Sequence, residues 1–142
     1  GRHEVGKATN LDVLQVQRVD HGVRCMEDPA LVQRLAAEGV PLTVCPLSNV
    51  KLCVFPTLAA HNLAALLDAG LCVTINSDDP AYFGGYLLQN FTDTFDALPQ
   101  LGAQQACTLA RNSLQASFAP AADKARWLQQ LDAALAAARA AD

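Results

Sequence analysis

Three short apolar segments alternate with two helical ones, and this order limits the chain to very few architectures. Val16 to Val19, Pro41 to Cys45 and Leu71 to Ile75 are rich in Val, Ile, Leu, Thr or Cys and are bounded by Gly or Pro, the pattern of buried strands. Between them, Asp28 to Glu38 carries Leu31, Val32 and Leu35 at helical spacing and is followed by Gly39. Leu58 to Asp68 carries Leu58, Leu63, Leu66 and Leu67 and runs out toward Gly70. Strand, helix, strand, helix, strand with short connections predicts parallel βαβ units, because parallel strands need a crossover and continuously apolar strands need both faces covered.

After Asp79 the pattern changes to helices alone, predicted over Tyr86 to Ala97, Ala103 to Ser117 and Ala122 to Ala141. The last is Ala-rich and amphipathic around Trp127, Leu128, Leu131 and Leu135. Three parallel strands cannot close a barrel, and an open sheet of three leaves two long edges unpaired. Poor solubility or self-association is therefore expected of these residues alone. A doubly wound nucleotide fold would carry a Gly-rich turn after its first strand, which Gly22-Val23-Arg24 does not supply.

Composition narrows the function classes. With 142 residues, 51% of them apolar and 17% charged, the chain has material for a core. A net charge of −4 gives no basic stripe to neutralise phosphates, so neither a nucleic acid nor an anionic membrane is an expected partner. Five cysteines, an odd number partly set within apolar runs, suit free buried thiols in a reducing compartment, read as the cytoplasm. No pair is spaced C-x-x-C, so a cysteine-ligated zinc site has no support. No stretch approaches the roughly 18 apolar residues that span a bilayer. The start Gly1-Arg2-His3 lacks an initiator Met, which points to processing or truncation.

Polar residues gather at the C-terminal end of each expected strand: Asp20-His21-Gly22, then Pro46-Leu47-Ser48-Asn49, then Ser77-Asp78-Asp79-Pro80. In a (β/α)8 barrel that edge carries the active site. Singly, His21 reads as a structural histidine and Asp78-Asp79 before proline as a helix cap. Jointly they supply the nitrogen and oxygen donors that hold zinc, and a hydrolytic metal site and a structural role both stay open. Ser48, Asn49 and Ser77 read as loop-shaping or capping residues, and His61 as a structural histidine on a helical segment away from the strand ends.

Arg18-Val19-Asp20-His21-Gly22-Val23-Arg24, Cys45-Pro46-Leu47-Ser48-Asn49 and Asn76-Ser77-Asp78-Asp79-Pro80-Ala81-Tyr82-Phe83-Gly84-Gly85-Tyr86 resemble, in order and spacing, successive motifs of the adenosine, adenine and AMP deaminase family. Leu109 to Ser113 and Lys124 to Leu128 resemble its C-terminal helices, so the likeness covers residues 11–142, and the Asp79 to Tyr86 stretch is most like the adenine-deaminase branch. The resemblance implies strands six to eight and the helical tail of a (β/α)8 barrel of the metal-dependent hydrolase type. It further implies zinc at the barrel mouth, a small-molecule purine substrate, and hydrolysis of adenine to hypoxanthine and ammonia. On that reading Asp78 is a zinc ligand, Asp79 hydrogen-bonds the purine at N7, and His21 orients and polarises the attacking water.

The family's remaining zinc ligands and its general-acid Glu sit in a His-x-His and a His-Ala-Gly-Glu motif. Neither motif occurs here, and residues 1–10 look unlike the expected sequence. The 142 residues alone are accordingly expected to hold no stoichiometric zinc and release no ammonia. Three rivals stay open: an adenosine deaminase, a non-catalytic remnant that only packs against a partner, and an α/β domain in which Asp78-Asp79 is merely a cap.

Overall fold

The computed structural model describes residues 11–141, so the atypical segment 1–10 lies outside the described residues. Its centre is a three-stranded parallel sheet in the order β1-β2-β3, formed by Val19–Asp20, Leu42–Val44 and Val73–Ile75. Val19 lies opposite Leu42, which lies opposite Val73, and Asp20, Thr43 and Thr74 form the next row. Alternation of side chains across a strand then separates the sheet's faces. Leu42, Val44, Val73 and Ile75 are all buried in the core, whereas Asp20, Thr43 and Thr74 make a polar row in which Thr43 Oγ1 donates to Asp20 Oδ1 at 2.7 Å.

Seven helices follow from the described sequence: α1 (Pro29–Glu38), α2 (Pro46–Lys51), α3 (Leu63–Asp68), α4 (Pro80–Phe83), α5 (Leu87–Ala97), α6 (Ala103–Gln115) and α7 (Ala121–Ala141). The expected crossover between the first two strands is α1, and its ends are set by local chemistry. Asp28 Oδ1 accepts from the Ala30 and Leu31 amides, Pro29 opens the helix without needing its missing N–H, and Gly39 ends it in the left-handed region at φ 63°. The Asn112 side chain on α6 donates to the Val73 carbonyl at 2.8 Å, and Leu109, fully buried, seats that helix in the core. On α7 Trp127, Leu128, Leu131 and Leu135 are half-buried, together with Asp123 and Lys124 in the first turn.

Two expected elements are displaced or broken, and the short helices α2 and α4 have no counterpart in the sequence reading. The first strand is Val19–Asp20 rather than Val16–Val19. Pairing begins only where Val19 N–H meets the Pro41 carbonyl at 2.9 Å, and before Pro41 the partner chain is the capped end of α1, which has no strand to offer. The helix expected over Leu58 to Asp68 is broken. Thr57 caps a 3-10 turn at Leu58–Ala60, His61 is extended at φ −69° and ψ 139°, and α3 restarts at Leu63. The break is held from outside by Asn62 Nδ2, which donates to the Val23 carbonyl at 2.8 Å, and locally by His61 Nδ1, which accepts from the Leu63 amide at 3.1 Å.

Candidate active site at the strand ends

Beyond the end of each outer strand the chain bends through a residue in the left-handed backbone region, His21 at φ 58° after β1 and Asp78 at φ 58° after β3. Neither is glycine, so each conformation costs on the order of 1 kcal/mol or more and persists only because the surroundings impose it. At His21 the amide is held by the Thr43 carbonyl at 2.9 Å, and the next residue, Gly22, continues the turn at φ 69°. Before Asp78, Asn76 is pinned through its backbone amide to the Val44 carbonyl at 2.8 Å and through its side chain to Thr74 Oγ1 at 2.8 Å. The two turns throw the His21 imidazole and the Asp78 carboxylate toward each other, with Nε2 to Oδ2 at 3.7 Å.

Between them β2 leads directly into α2, which Pro46 opens and whose first turn carries Ser48 and Asn49. Ser48, fully buried, donates its hydroxyl to Asp78 Oδ2 at 2.6 Å. Asn49, also buried, faces His21 Nδ1 through Nδ2 at 3.5 Å and His61 Nε2 through Oδ1 at 3.1 Å. The His61 ring is buried and packs on Phe55 with ring centroids 4.4 Å apart, and burial pushes its pKa down to about 4. Cys45 completes the group. Its sulfur, the His21 nitrogen and the Asp78 oxygen all lie within 4.8 Å of one another. Burial first, and then the Asp78 and Asp20 charges, push that thiol up to about 12, so it is a neutral S–H rather than a thiolate.

Asp79 does something different. Its Oδ1 accepts from the Ala81 and Tyr82 amides at 3.0 and 3.1 Å and caps α4. Among the described residues its Oδ2 takes no protein hydrogen bond, which leaves one carboxylate oxygen for another partner at the rim.

The structure therefore brings His21 and Asp78 into one cluster and sets Asp79 beside it on the cap of α4. One imidazole and one carboxylate are donors suited to a small divalent cation such as zinc, and Asp78 Oδ1 accepts no hydrogen bond among the described residues. Four neighbours read from sequence as structural sit in the same cluster: Cys45, Ser48, Asn49 and His61. A signal for Ser48 and Asn49 was present in Cys45-Pro46, since proline at the first helical position puts the next residues in a first turn at the strand ends. His61 had no such signal and is not on a helix remote from the strand ends. A cavity of about 400 Å3 opens beside His21 and Asn49, but its remaining walls are chiefly aliphatic, including Leu31, Leu35 and Leu42. Its hydrogen-bonding side chains are Asp20, His21, Arg24 and Asn49, the first two at the end of the first strand.

The sequence model described as adenosine deaminase matches residues 4–134. An adenine deaminase from Trichlorobacter lovleyi is 66% identical over 122 residues, 86% of this chain and 35% of that protein. The crystal structure of adenine deaminase from Arthrobacter aurescens superposes with a TM-score of 0.86 at 51% identity, covering 90% of this chain and 39% of that one. An amidohydrolase from Burkhoderia ambifaria, solved with bound Zn, superposes with a TM-score of 0.79 at 26% identity over 94% of this chain and 38% of its own. The chain thus spans about a third of the length of the relatives it matches, and its three strands are part of their barrel rather than a complete sheet.

Proposed function

The chain belongs to the adenosine deaminase family, and from that premise we propose that the protein it forms part of hydrolyses the 6-amino group of adenine, yielding hypoxanthine and ammonia. The observation that carries this is the convergence of His21, Asp78 and the Ser48 hydroxyl on one point at the strand ends. The adenine deaminases at 66% and 62% identity support the free base over the nucleoside as substrate.

In this reading Asp78 is one ligand of a zinc ion, the other ligands coming from parts of the relatives that these residues do not span. Bound zinc supplies a Lewis acid that lowers the pKa of water toward neutrality. Ser48, by donating to Asp78 Oδ2, holds the carboxylate with its other oxygen outward. His21 lies beside Asp78 and orients and polarises the attacking water. Asp79, its Oδ1 committed to the helix cap, offers Oδ2 to the purine at N7, which helps the ring accept electrons as C6 becomes tetrahedral. The free thiols support a cytoplasmic setting, and a small purine is the only partner the site calls for.

The test is an assay of the full-length protein with adenine and adenosine in parallel, following hypoxanthine, inosine and ammonia, with metal analysis of the same preparation. Hypoxanthine and ammonia from adenine with bound zinc are expected. Inosine from adenosine without turnover of adenine would overturn the choice of substrate.

A further inference from the structure

His21 carries two ring nitrogens, and which of them is protonated decides whether it can donate to, or must accept from, the oxygen it faces. Two buried residues settle that choice through a chain of hydrogen bonds whose direction is fixed at its far end. The Leu63 backbone amide lies 3.1 Å from His61 Nδ1, and a backbone N–H can only donate. His61 Nδ1 is therefore an acceptor, and in the neutral ring the proton sits on Nε2. That Nε2–H is 3.1 Å from Asn49 Oδ1, which it meets as a donor. An asparagine amide is ordinarily free to be turned either way, but here its oxygen is claimed by His61, so Nδ2 must face His21. Asn49 Nδ2 lies 3.5 Å from His21 Nδ1, and an amide nitrogen can only donate. His21 Nδ1 accepts, its proton lies on Nε2, and Nε2 is the nitrogen that faces Asp78 Oδ2 at 3.7 Å.

Water does not compete for the His61 and Asn49 groups, which are 4% and 2% exposed, and Phe55 packs against the His61 ring. Such directional networks are stronger in a dry interior than on a surface. We propose that Asn49 and His61 are positioning residues that hold His21 in its Nε2–H tautomer, so that His21 meets the attacking oxygen as a hydrogen-bond donor and not as a base. This rests on the deaminase reading for the identity of that oxygen, while the tautomer itself rests on the geometry alone.

The experiment is nitrogen NMR of the histidine rings in the full-length, zinc-loaded protein, which separates protonated from unprotonated ring nitrogens, combined with steady-state kinetics on adenine. Wild type is expected to show His21 with a protonated Nε2 and an unprotonated Nδ1. Asn49→Asp replaces the donor by an acceptor, so His21 Nδ1 becomes protonated and kcat falls about 10- to 100-fold with KM little changed. His61→Gln can still donate to Asn49 Oδ1 and keeps both the wild-type ring signals and most of kcat, whereas His61→Leu loses both. If the leucine variant does not fold, the aspartate and glutamine variants decide. An unprotonated His21 Nε2 in wild type, or an unchanged His21 spectrum in Asn49→Asp, overturns the proposal. The expected ring signals in a protein that releases no ammonia from adenine support the relay and overturn the deaminase reading, so the two fail separately.

Discussion

Ser48 Oγ donates to Asp78 Oδ2 at 2.6 Å from the first turn of a helix that begins where the neighbouring strand ends. The bond crosses 30 residues of sequence and fixes the carboxylate of a residue whose backbone is already held in the left-handed region. Ser48→Ala frees the carboxylate to rotate while leaving its charge. Zinc affinity or kcat of the full-length protein is expected to drop about 10- to 100-fold, with a stability cost of about 1 kcal/mol. Metal titration against a chelator together with urea unfolding checks both numbers.

Asp79 serves a cap with one oxygen and, in the proposed mechanism, a purine with the other. Asparagine caps helices as well as aspartate does, so Asp79→Asn is expected to unfold within about 0.5 kcal/mol of wild type, while Asp79→Ala costs about 1 kcal/mol. Turnover separates the readings. If the second oxygen acts on substrate, both variants lose more than about 100-fold in kcat/KM; if Asp79 is only a cap, the asparagine variant keeps its activity.

How far the sequence announced this arrangement depended on how local the physics was. Asp28, Pro29 and Gly39 bracket α1 with interactions that reach no more than a few residues, so that helix was legible to its ends. The alternation of apolar segments likewise made the parallel order of the sheet plain. The break at His61 was hidden because Leu58, Leu63, Leu66 and Leu67 keep helical spacing across it. What opens the chain there is a bond from Asn62 to Val23, 39 residues away. His21 and Asp78 were visible because each lies just beyond a strand end, His21 immediately after β1 and Asp78 after Asn76 and Ser77. Of their partners, Ser48 and Asn49 stand at a strand end that Cys45-Pro46 announced, but their bonds to Asp78 and His21, and the place of His61 in the site, rest on contacts that sequence spacing does not encode.

Among the described residues three groups able to bind metal cluster within 4.8 Å, but burial keeps the Cys45 thiol protonated and the Asn49 relay leaves the proton on His21 Nε2, so Asp78 alone remains as a ready donor. Catalytic zinc sites use about three protein ligands. A polypeptide limited to these 142 residues is expected to retain no stoichiometric zinc after dialysis and to release no ammonia from adenine. Elemental analysis finding one zinc per chain would show that the cluster suffices.

Two glycines in the left-handed region differ in what surrounds them. A Cβ on Gly39 would meet nothing within 4 Å, whereas one on Gly22 would lie 2.8 Å from Leu42 Cδ2, in the buried core beside the His21 turn. Gly39→Ala is expected to cost about 1 kcal/mol, the backbone penalty alone. Gly22→Ala adds an overpacking cost of about 1 to 3 kcal/mol and displaces His21, so its kcat falls as well. Comparing unfolding midpoints and kcat for the two variants distinguishes strain from crowding.

The depressed His61 pKa makes stability depend on pH in a definite direction. In the folded protein burial holds the group at about 4, below the ordinary 6.5 that the unfolded chain regains. Between those values the unfolded state binds the extra proton. The stability contribution is therefore fully present above pH 6.5 and is lost progressively as pH falls toward 4, by at most about 3 kcal/mol. Below pH 4 both states are protonated and the dependence ends. Protonation would also break the relay, since His61 Nδ1 would then present a proton to the Leu63 amide instead of a lone pair. His61→Gln has no titrating group there, so its unfolding free energy should fall less between pH 7 and pH 4.5 than that of wild type. Equal losses in urea titrations at the two pH values would mean that the His61 ring is not held neutral by the fold.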